Sequence, residues 1–377
     1  MIRVAVVIDS LKVGGAQRLI AAYAASAAAH GLDPVIITLR EGGAPFILES
    51  IRTAGVRVIP LPSPSLFNLQ RWQKLVELLK EERVDLVQTH LIYSNILGAL
   101  AAHRADIPVI ATLHSTTVRG DWKSMILKRM ENYCLRSYAT RILAVGKVVA
   151  DFNQEHYGDR TIDVIPNGIP RPNLPEFPDR ERLRKEIMGN HSGSLIITVG
   201  RFSRAKGYED MIDAFHMLSQ RAQQPKLLMV GAGSHVESIR EQIGNLNLNQ
   251  SVILAGERED VHQLLALSDV YASSSHREGL PLAVLEAMMV GLPVVATSVG
   301  DIPNVVTKET GVVVPPHRPE LLAAALEDLL QNPEKRRAMG KAAHRRAMDE
   351  YSVDAWMRRH LDLYRDVLAS RQEKHTA

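Results

Sequence analysis

The chain has 377 residues, of which 46% are hydrophobic and 23% charged, and its formal net charge is +3. This composition excludes disordered and fibrous proteins, and so small a charge gives no reason to expect a nucleic-acid partner. Because the length exceeds what one hydrophobic core normally serves, two domains are expected.

Short runs rich in Val and Ile alternate with longer helical patterns, which is typical of βαβ units and parallel sheets. The alternation occurs twice along the chain. The first set of predicted strands covers residues 3–8, 33–39, 56–60, 85–89, 109–113, 141–145 and 163–165. The second set covers residues 195–199, 226–230, 251–255, 270–273, 293–297 and 311–314.

The segment between the two sets, residues 166–172, is dense in Pro and Gly and suits a connector. We therefore predict an N-terminal domain over 1–170 and a C-terminal domain over 171–355, both α/β and doubly wound. The final helix, over 356–377, has no strand to follow, and we expect it to return to the first domain. Two such sheets facing each other would gather their strand ends around a crevice, where ligands bind in these folds.

The cysteine content and the absence of leader or membrane patterns indicate the compartment. Cys134 is the single cysteine, so no intrachain disulfide can form and a reducing environment is favoured. The first residues run directly into a strand pattern, and no apolar run is long enough to cross a bilayer. We expect a cytoplasmic protein whose membrane contact, if it has one, is peripheral and on the inner face.

Residues 275–288, SHREGLPLAVLEAM, carry the strongest functional signal. A strand ends just before them, Gly279 allows unusual backbone angles, and Pro281 suits the first position of a helix. The N–H groups of Gly279, Leu280 and Leu282 would then face the crevice. Such a helix start attracts phosphate, because free donors and the positive end of the helix dipole coincide there.

Two glutamates flank this helix start. Helical side chains lean towards the N-terminus, so Glu286 can reach a group beside the phosphates, and we predict it as a ribose ligand. Glu278, one loop earlier, is predicted to bind hydroxyls of the donor sugar. Isolated glutamates at such places are more often plain surface acids, whereas the whole string favours the functional interpretation.

The string resembles the E-x7-E signature of the retaining glycosyltransferases of family four, with Glu278 and Glu286 at the signature positions. The resemblance extends over nearly the whole chain and implies the GT-B fold of two Rossmann-like domains. It implies transfer of a hexose-type sugar from a nucleotide-sugar donor to a glycan or lipid-linked acceptor. Our hypothesis is that the donor binds mainly to the second domain and the acceptor to the first, with closure about the connector before transfer. It also implies retention of configuration by front-face attack, in which the leaving phosphate helps to remove the acceptor proton.

Residues 200–207, GRFSRAKG, follow the second domain's first strand. The resemblance implies that Arg201 and Lys206 hold the donor pyrophosphate, which gains negative charge in the transition state. A solvated basic turn is the alternative, and it suits Arg204. Backbone around the next two loops would frame the nucleobase, at Gly231, Gly233 and Arg258.

Residues 12–18, KVGGAQR, follow the first strand, and Gly14 and Gly15 allow backbone to approach a ligand at a helix start. In similar enzymes this loop closes on the donor, while a plain turn is the alternative. The resemblance implies that His114 touches the transferred sugar and does not act as a general base. His90 is a weaker candidate for the acceptor side, since lone histidines are usually structural.

The hinge and the metal motifs complete the comparison with the family. Asn167–Gly168 matches the family's P-N-G-I hinge, whereas Asn304 stands where relatives often have Glu. No D-x-D pair, H-E-x-x-H or P-loop motif occurs in the sequence. We therefore expect no metal or other cofactor, with the phosphate charge left to Arg201, Lys206 and helix N-termini.

Residues 118–147 are rich in basic side chains, and Trp122, Ile126, Met130 and Tyr133 recur beside them at helical spacing. One interpretation is an amphipathic basic helix that lies on anionic lipid. The other is a core stripe with a solvated basic face. The basic residues are Arg119, Lys123, Lys128, Arg129, Arg136, Arg141 and Lys147.

Two rival functions share this architecture. A nucleotide-sugar epimerase is disfavoured by the paired Glu278 and Glu286, and a non-catalytic nucleotide-sugar-binding protein could retain every ligand residue without turnover. A dehydrogenase is set aside, because the loop at 12–18 lacks the G-x-G-x-x-G fingerprint.

Overall fold

The computed structural model describes residues 1–12, 14–63, 65, 68–115, 121–172, 177–189, 191–220 and 225–376. The chain divides into two compact units, Met1–Pro170 with Ser352–Ala377, and Arg171–Tyr351. The predicted boundary after residue 170 and this division coincide. Among the helices within those ranges, none is long and apolar enough to cross a membrane.

The first unit contains a parallel sheet whose buried strands are mostly apolar, as expected where helices cover both faces. Its strands are β1 Ile2–Ile8, β2 Leu32–Thr38, β3 Arg57–Pro60, β4 Leu86–His90, β5 Val109–Leu113, β6 Arg141–Ala144 and β7 Ile162–Val164. Their order is β3-β2-β1-β4-β5-β6-β7. The helices are α1 Gly15–Ala27, α2 Pro45–Thr53, α3 Leu69–Glu81, α4 Ile92–Ala105, α5 Trp122–Tyr138 and α6 Lys147–Gln154.

The second unit repeats the design with a six-stranded parallel sheet. It begins with α7 Phe177–Met188, and its strands are β8 Leu195–Val199, β9 Lys226–Val230, β10 Val252–Gly256, β11 Val270–Ser273, β12 Val294–Thr297 and β13 Gly311–Val314. Their order is β10-β9-β8-β11-β12-β13. The remaining helices are α8 Tyr208–Ser219, α9 Val236–Asn245, α10 Val261–Leu267, α11 Leu282–Met289, α12 Ile302–Val305, α13 Pro319–Gln331 and α14 Pro333–Glu350.

The last helix, α15 (Val353–Thr376), packs on α1 of the first unit, as the sequence predicts, although it begins before residue 356. Trp356 and Tyr364 lie on one face, where the ring centroid of Trp356 is 6.0 Å from that of Tyr23. Gly168 lies beneath Trp356, and a Cβ there would overlap the indole. The glycine of the predicted hinge is therefore explained by the close approach of α15.

Every predicted strand is present, and each end agrees to within one residue. In both sheets the strand order reverses at one point, between β1 and β4 and between β8 and β11. Loops leaving the carboxyl ends of such a strand pair diverge and leave room for a ligand. Lys206 follows β8 and Glu278 follows β11, whereas other predicted site residues follow the neighbouring strands β5, β9 and β10.

Candidate functional site

The centre of the candidate site is formed by two loops of the second unit, 200–207 after β8 and 274–281 after β11. The two strands are parallel neighbours in the sheet, so their carboxyl ends lie at the same edge. The backbone N–H groups of His276 and Arg277 donate to Ala205 O at 2.8 and 3.2 Å. These bonds fix the two loops against each other.

Lys206 and Glu278, predicted separately from the two loops, are in direct contact. Lys206 Nζ lies 2.5 Å from Glu278 Oε1, and the side chains are 25% and 11% exposed. Ser275 Oγ donates to the same carboxylate oxygen at 2.6 Å. Glu278 is therefore held through Oε1, and neither contact uses its Oε2.

Helix α11 begins beside this pair. The sequence predicts Pro281 as the first residue of the helix, whereas in the structure Pro281 is the N-cap residue and precedes the first helical residue. No side chain accepts a hydrogen bond from the N–H groups at this helix start. Leu282 is its first residue, so its N–H has no partner within the helix, while Gly279 and Leu280 lie in the preceding loop. A helix start with free backbone donors therefore follows closely in the chain after Glu278, the ion-pair partner of Lys206.

Glu286 lies in the second turn of α11, as predicted, and its side chain is 19% exposed. His262 of α10 lies nearby, with Nε2 4.0 Å from Glu286 Oε1. Sequence reasoning missed His262, because nothing in the spacing of α10 relates it to α11.

Three other basic residues of this unit differ in whether they are paired with an acid. Arg201 and Arg204 are exposed in the loop after β8. Arg258 is bound by Asp260, with bidentate bonds of 2.7 and 2.6 Å. These bonds raise the pKa of Arg258 and lower that of Asp260. The guanidinium of Arg258 is thus bound to Asp260, and the nucleobase contact predicted for this loop stays a prediction.

Gly231 and Gly233 allow the loop after β9 to pack on the loop after β8. Gly231 has φ +140°, and a Cβ on it would overlap Gly200 O. A Cβ on Gly233 would overlap Phe202 O. Both glycines are therefore needed for backbone packing, and their contact with a donor stays a prediction.

Asn304, where relatives often have Glu, serves its own short helix. Its Nδ2 donates to Asp301 Oδ1 at 2.9 Å. Asn304, the residue that departs from the family pattern, thus makes a local hydrogen bond to the N-cap residue of α12.

In the first unit, Gly14 and Gly15 lie at the start of α1, which no side chain caps. The side chain of Gln17 occupies the space that a Cβ on Gly14 would need, and its Nε2 donates to Ser10 O at 3.1 Å. The two glycines therefore form a compact helix start after β1. Whether they touch a donor stays a prediction.

His90 and His114, at the ends of the neighbouring strands β4 and β5, are brought together. His90 Nδ1 and His114 Nε2 are 2.9 Å apart. Burial lowers the pKa of His114 to about 4. Burial, and then the proximity of His114, holds the pKa of His90 well below its ordinary value. Both rings are neutral at physiological pH, and they line a narrow pocket with Gln88, Thr112 and Trp356.

Polar residues missed by sequence reasoning also lie at the carboxyl end of this sheet. Asp9 follows β1 and accepts from Ser94 N and Ser94 Oγ at 2.8 and 2.7 Å. Burial raises the pKa of Asp9. Arg40 follows β2, with its guanidinium 5.7 Å from the ring centroid of Tyr93. Asp9 directly follows its strand and Arg40 follows its strand after Leu39, and these positions near strand ends are the signal that could have identified them.

The basic segment predicted over 118–147 contains α5, while its residues 118–120 lie outside the described part of the chain. Trp122, Ile126 and Tyr133 are 66%, 46% and 65% exposed. The core-stripe interpretation is therefore wrong for these three side chains. The inward face of α5 is formed instead by Glu131, Cys134 and Leu135.

Two family models match the chain in succession. The model described as Glycosyltransferase Family 4 matches residues 13–171, and the model described as Glycosyl transferases group 1 matches residues 179–346. Together they cover most of both units, without α15, and they include all the predicted site residues of the second.

Curated relatives match over much of their length. N-acetyl-alpha-D-glucosaminyl L-malate synthase of Bacillus anthracis is 24% identical over 306 residues, which are 80% of this chain and 80% of that protein. UDP-Gal:alpha-D-GlcNAc-diphosphoundecaprenol alpha-1,3-galactosyltransferase of Escherichia coli is 28% identical over 265 residues, 67% of this chain and 68% of that protein. Among solved structures, Anabaena HepE in complex with UDP superposes with a TM-score of 0.86 at 22% identity, covering 97% of this chain and 100% of that one. The superposition confirms the predicted fold.

Proposed function

The chain belongs to the glycosyltransferases of family four, and we propose that it transfers a hexose-type sugar from a nucleotide-sugar donor to a glycan or lipid-linked acceptor with retention of configuration. The ion pair between Lys206 and Glu278 beside the uncapped start of α11 carries the proposal. The Escherichia coli relative supports the substrate classes, because its name pairs UDP-Gal with a diphosphoundecaprenol-linked sugar.

The donor's diphosphate binds between Lys206 and the start of α11. As the bond from the anomeric carbon to the diphosphate breaks, negative charge grows on the leaving phosphate. The ammonium of Lys206 and the N–H groups of α11 stabilise that charge, and exposed Arg201 adds a second cation. Because Lys206 is already held by Glu278, it needs little reorganisation on binding. These residues would perform the task without a metal ion.

Glu278 and Glu286 bind the two sugars on either side of the diphosphate, the transferred sugar and the ribose. Glu278 Oε1 is engaged by Lys206 and Ser275, so Oε2 is the oxygen that accepts from a hydroxyl of the transferred sugar. Glu286, which is half-buried in the second turn of α11, accepts from the ribose hydroxyls. A carboxylate accepts two such bonds at once, which favours a vicinal diol.

His114 contributes a neutral hydrogen-bonding group. Since its pKa is about 4, its imidazole is a weak base at neutral pH. We therefore assign the acceptor's proton to an oxygen of the departing phosphate. The acceptor oxygen forms its bond to the anomeric carbon on the face that the phosphate leaves, so the configuration is retained.

Retention has a direct test. With an α-linked donor we expect an α-linked product, read from the anomeric proton coupling in the NMR spectrum. A β-linked product would contradict retention while leaving glycosyl transfer intact.

Incubation of the same donor without acceptor separates the rival functions. Without acceptor, an epimerase would convert the donor sugar to its epimer. A non-catalytic binding protein would leave the donor unchanged in this incubation, and it would leave both donor and acceptor unchanged when the two are mixed. Either result would overturn the transferase assignment, whereas slow donor hydrolysis at most agrees with it.

We also propose that α5 lies on anionic membrane, which would bring the site to lipid-linked acceptors. An exposed apolar surface on α5 is formed by Trp122, Met125 and Ile126, which are 66%, 48% and 46% exposed, respectively. Lys123 and Arg129 on the same helix are exposed beside it. Aromatic and aliphatic side chains flanked by cations are the pattern of helices that lie in the membrane interface. The segment's Lys128 is not part of this surface, because it pairs with Glu131 at 2.8 Å.

Replacing Trp122 by Ala together with Ile126 by Asn is expected to weaken binding to phosphatidylglycerol vesicles by about tenfold or more, because both side chains lose apolar burial in the interface. Co-sedimentation at low salt measures this. Leu69→Ala, which removes an equally exposed side chain of α3, should have no effect. Absence of vesicle binding by the unaltered chain, or equal binding to neutral vesicles, would contradict the proposal.

A further inference from the structure

Three side chains of metal-ligating type converge in the second unit beside, and separate from, the Lys206–Glu278 pair. They are Asp210 in the first turn of α8, His276 in the loop after β11, and His317 between β13 and α13. One ligand atom from each lies within 4.8 Å of the other two. We propose that these three residues bind a transition-metal dication of the Zn²⁺ type, a role additional to sugar transfer.

The separations between ligand atoms suit such an ion. His276 Nε2 is 2.8 Å from Asp210 Oδ2, and His317 Nδ1 is 3.7 Å from the same oxygen. Ligand atoms around tetrahedral zinc, with bonds of about 2.0–2.1 Å, lie roughly 3.3 Å apart. The observed distances lie on either side of that value, so an ion fits after small side-chain movements.

The conformation of His317 supports a ligand. Its backbone has φ +58°, in the left-handed region that non-glycine residues seldom occupy. Residues held in this way cluster at ligand clamps and active sites. The His317 side chain is 65% exposed, yet its ring lies against that of His276 with centroids 3.9 Å apart. An exposed imidazole held at this place can close on an ion that enters from solvent.

The ligand chemistry selects the class of ion. Two imidazoles and one carboxylate suit Zn²⁺, Co²⁺ and Ni²⁺, whereas Mg²⁺ and Ca²⁺ prefer oxygen ligands throughout. Three protein ligands leave one tetrahedral position for water on the exposed side.

Such an ion would stabilise the second unit, which we propose binds the donor. His276 is in the same loop as Glu278, and its backbone N–H donates to Ala205 O in the loop of Lys206. The ion would join this loop to α8 and to the segment before α13, three stretches that are distant in sequence. Because only the folded chain brings them together, binding would raise the stability of the native state.

Calorimetric titration with ZnCl₂ of the tag-free, chelator-treated chain tests the site, together with thermal unfolding. We expect one Zn²⁺ per chain and a higher melting temperature in its presence. His317→Ala should weaken zinc binding by at least about tenfold and abolish the melting shift, since it removes a ligand. Asp210→Asn, which retains a hydrogen-bond acceptor for His276, should have the same effect on zinc. His235→Ala, a histidine of the same unit outside the cluster, should bind zinc as the unaltered chain does.

Failure of the unaltered chain to bind zinc would overturn the proposal, and the contact of His276 with Asp210 would then be an ordinary hydrogen bond. Equal zinc affinity in His317→Ala and His235→Ala would overturn it as well. Neither result bears on glycosyl transfer, which is measured separately.

Discussion

Replacing Lys206 by Ala is expected to lower kcat by about 10²–10³-fold, the usual effect of removing one preorganised group that stabilises charge in a transition state. Its ammonium is the cation fixed beside the start of α11, 2.5 Å from Glu278. The loss should fall mainly on kcat, because the phosphate carries more negative charge in the transition state than in the bound donor. Steady-state transfer kinetics with radiolabelled donor measure it.

Arg204→Ala is the matched control, since Arg204 belongs to the same short turn and is exposed. We expect its kcat to stay within about twofold of the unaltered chain, as for most surface substitutions. Equal losses in the two variants would mean that the turn matters only for folding or general charge, and would contradict the role of Lys206.

Glu278→Gln is expected to lower kcat/KM by about 100-fold with little change in melting temperature. The amide keeps the size of the side chain and can still accept from Ser275, but it removes the negative partner of part-buried Lys206. It also weakens the acceptor offered to the sugar, because hydrogen bonds to charged groups are the stronger ones. Transfer kinetics and thermal unfolding of the purified variant provide the measurement.

The exposed acid Glu309, replaced by Gln, is the control for loss of one negative charge in this unit. Because Lys206 and Glu278 form one unit, the double variant Lys206→Ala, Glu278→Gln should be little worse than the more severe single variant. Fully multiplicative losses would show that the two side chains act independently, contrary to the contact between them.

The fold could be predicted because its dominant signal is local. Parallel strands buried on both faces are continuous apolar runs, and the helical patterns between them leave one class of architecture. Lys206 could be assigned to the site through the family resemblance, and Glu278 through the string at 275–288. The strand order of the structure then makes the loops that carry them neighbours. Their direct ion pair could not, since it depends on how the two loops pack.

Other features depend on contacts that no spacing encodes. Ser275 and His262 approach Glu278 and Glu286 only through the packing of neighbouring elements. Gly231 lies in a glycine-containing loop of the kind that binds ligands, yet a glycine is needed there because a Cβ would overlap the backbone oxygen of Gly200. Helical periodicity in α5 identified an apolar stripe, but periodicity alone does not say whether a stripe faces the core or the solvent.

The central claim is that the donor's diphosphate is bound by Lys206 and the start of α11 without a metal ion. Isothermal titration with UDP, GDP and ADP in EDTA, for the unaltered chain and for Lys206→Ala, tests it most directly. We predict that at least one of these nucleotides binds in EDTA, and that Lys206→Ala weakens that binding by about tenfold or more, the value of one charge-assisted contact. Binding that requires added Mg²⁺, or that is equally tight in Lys206→Ala, would contradict the claim.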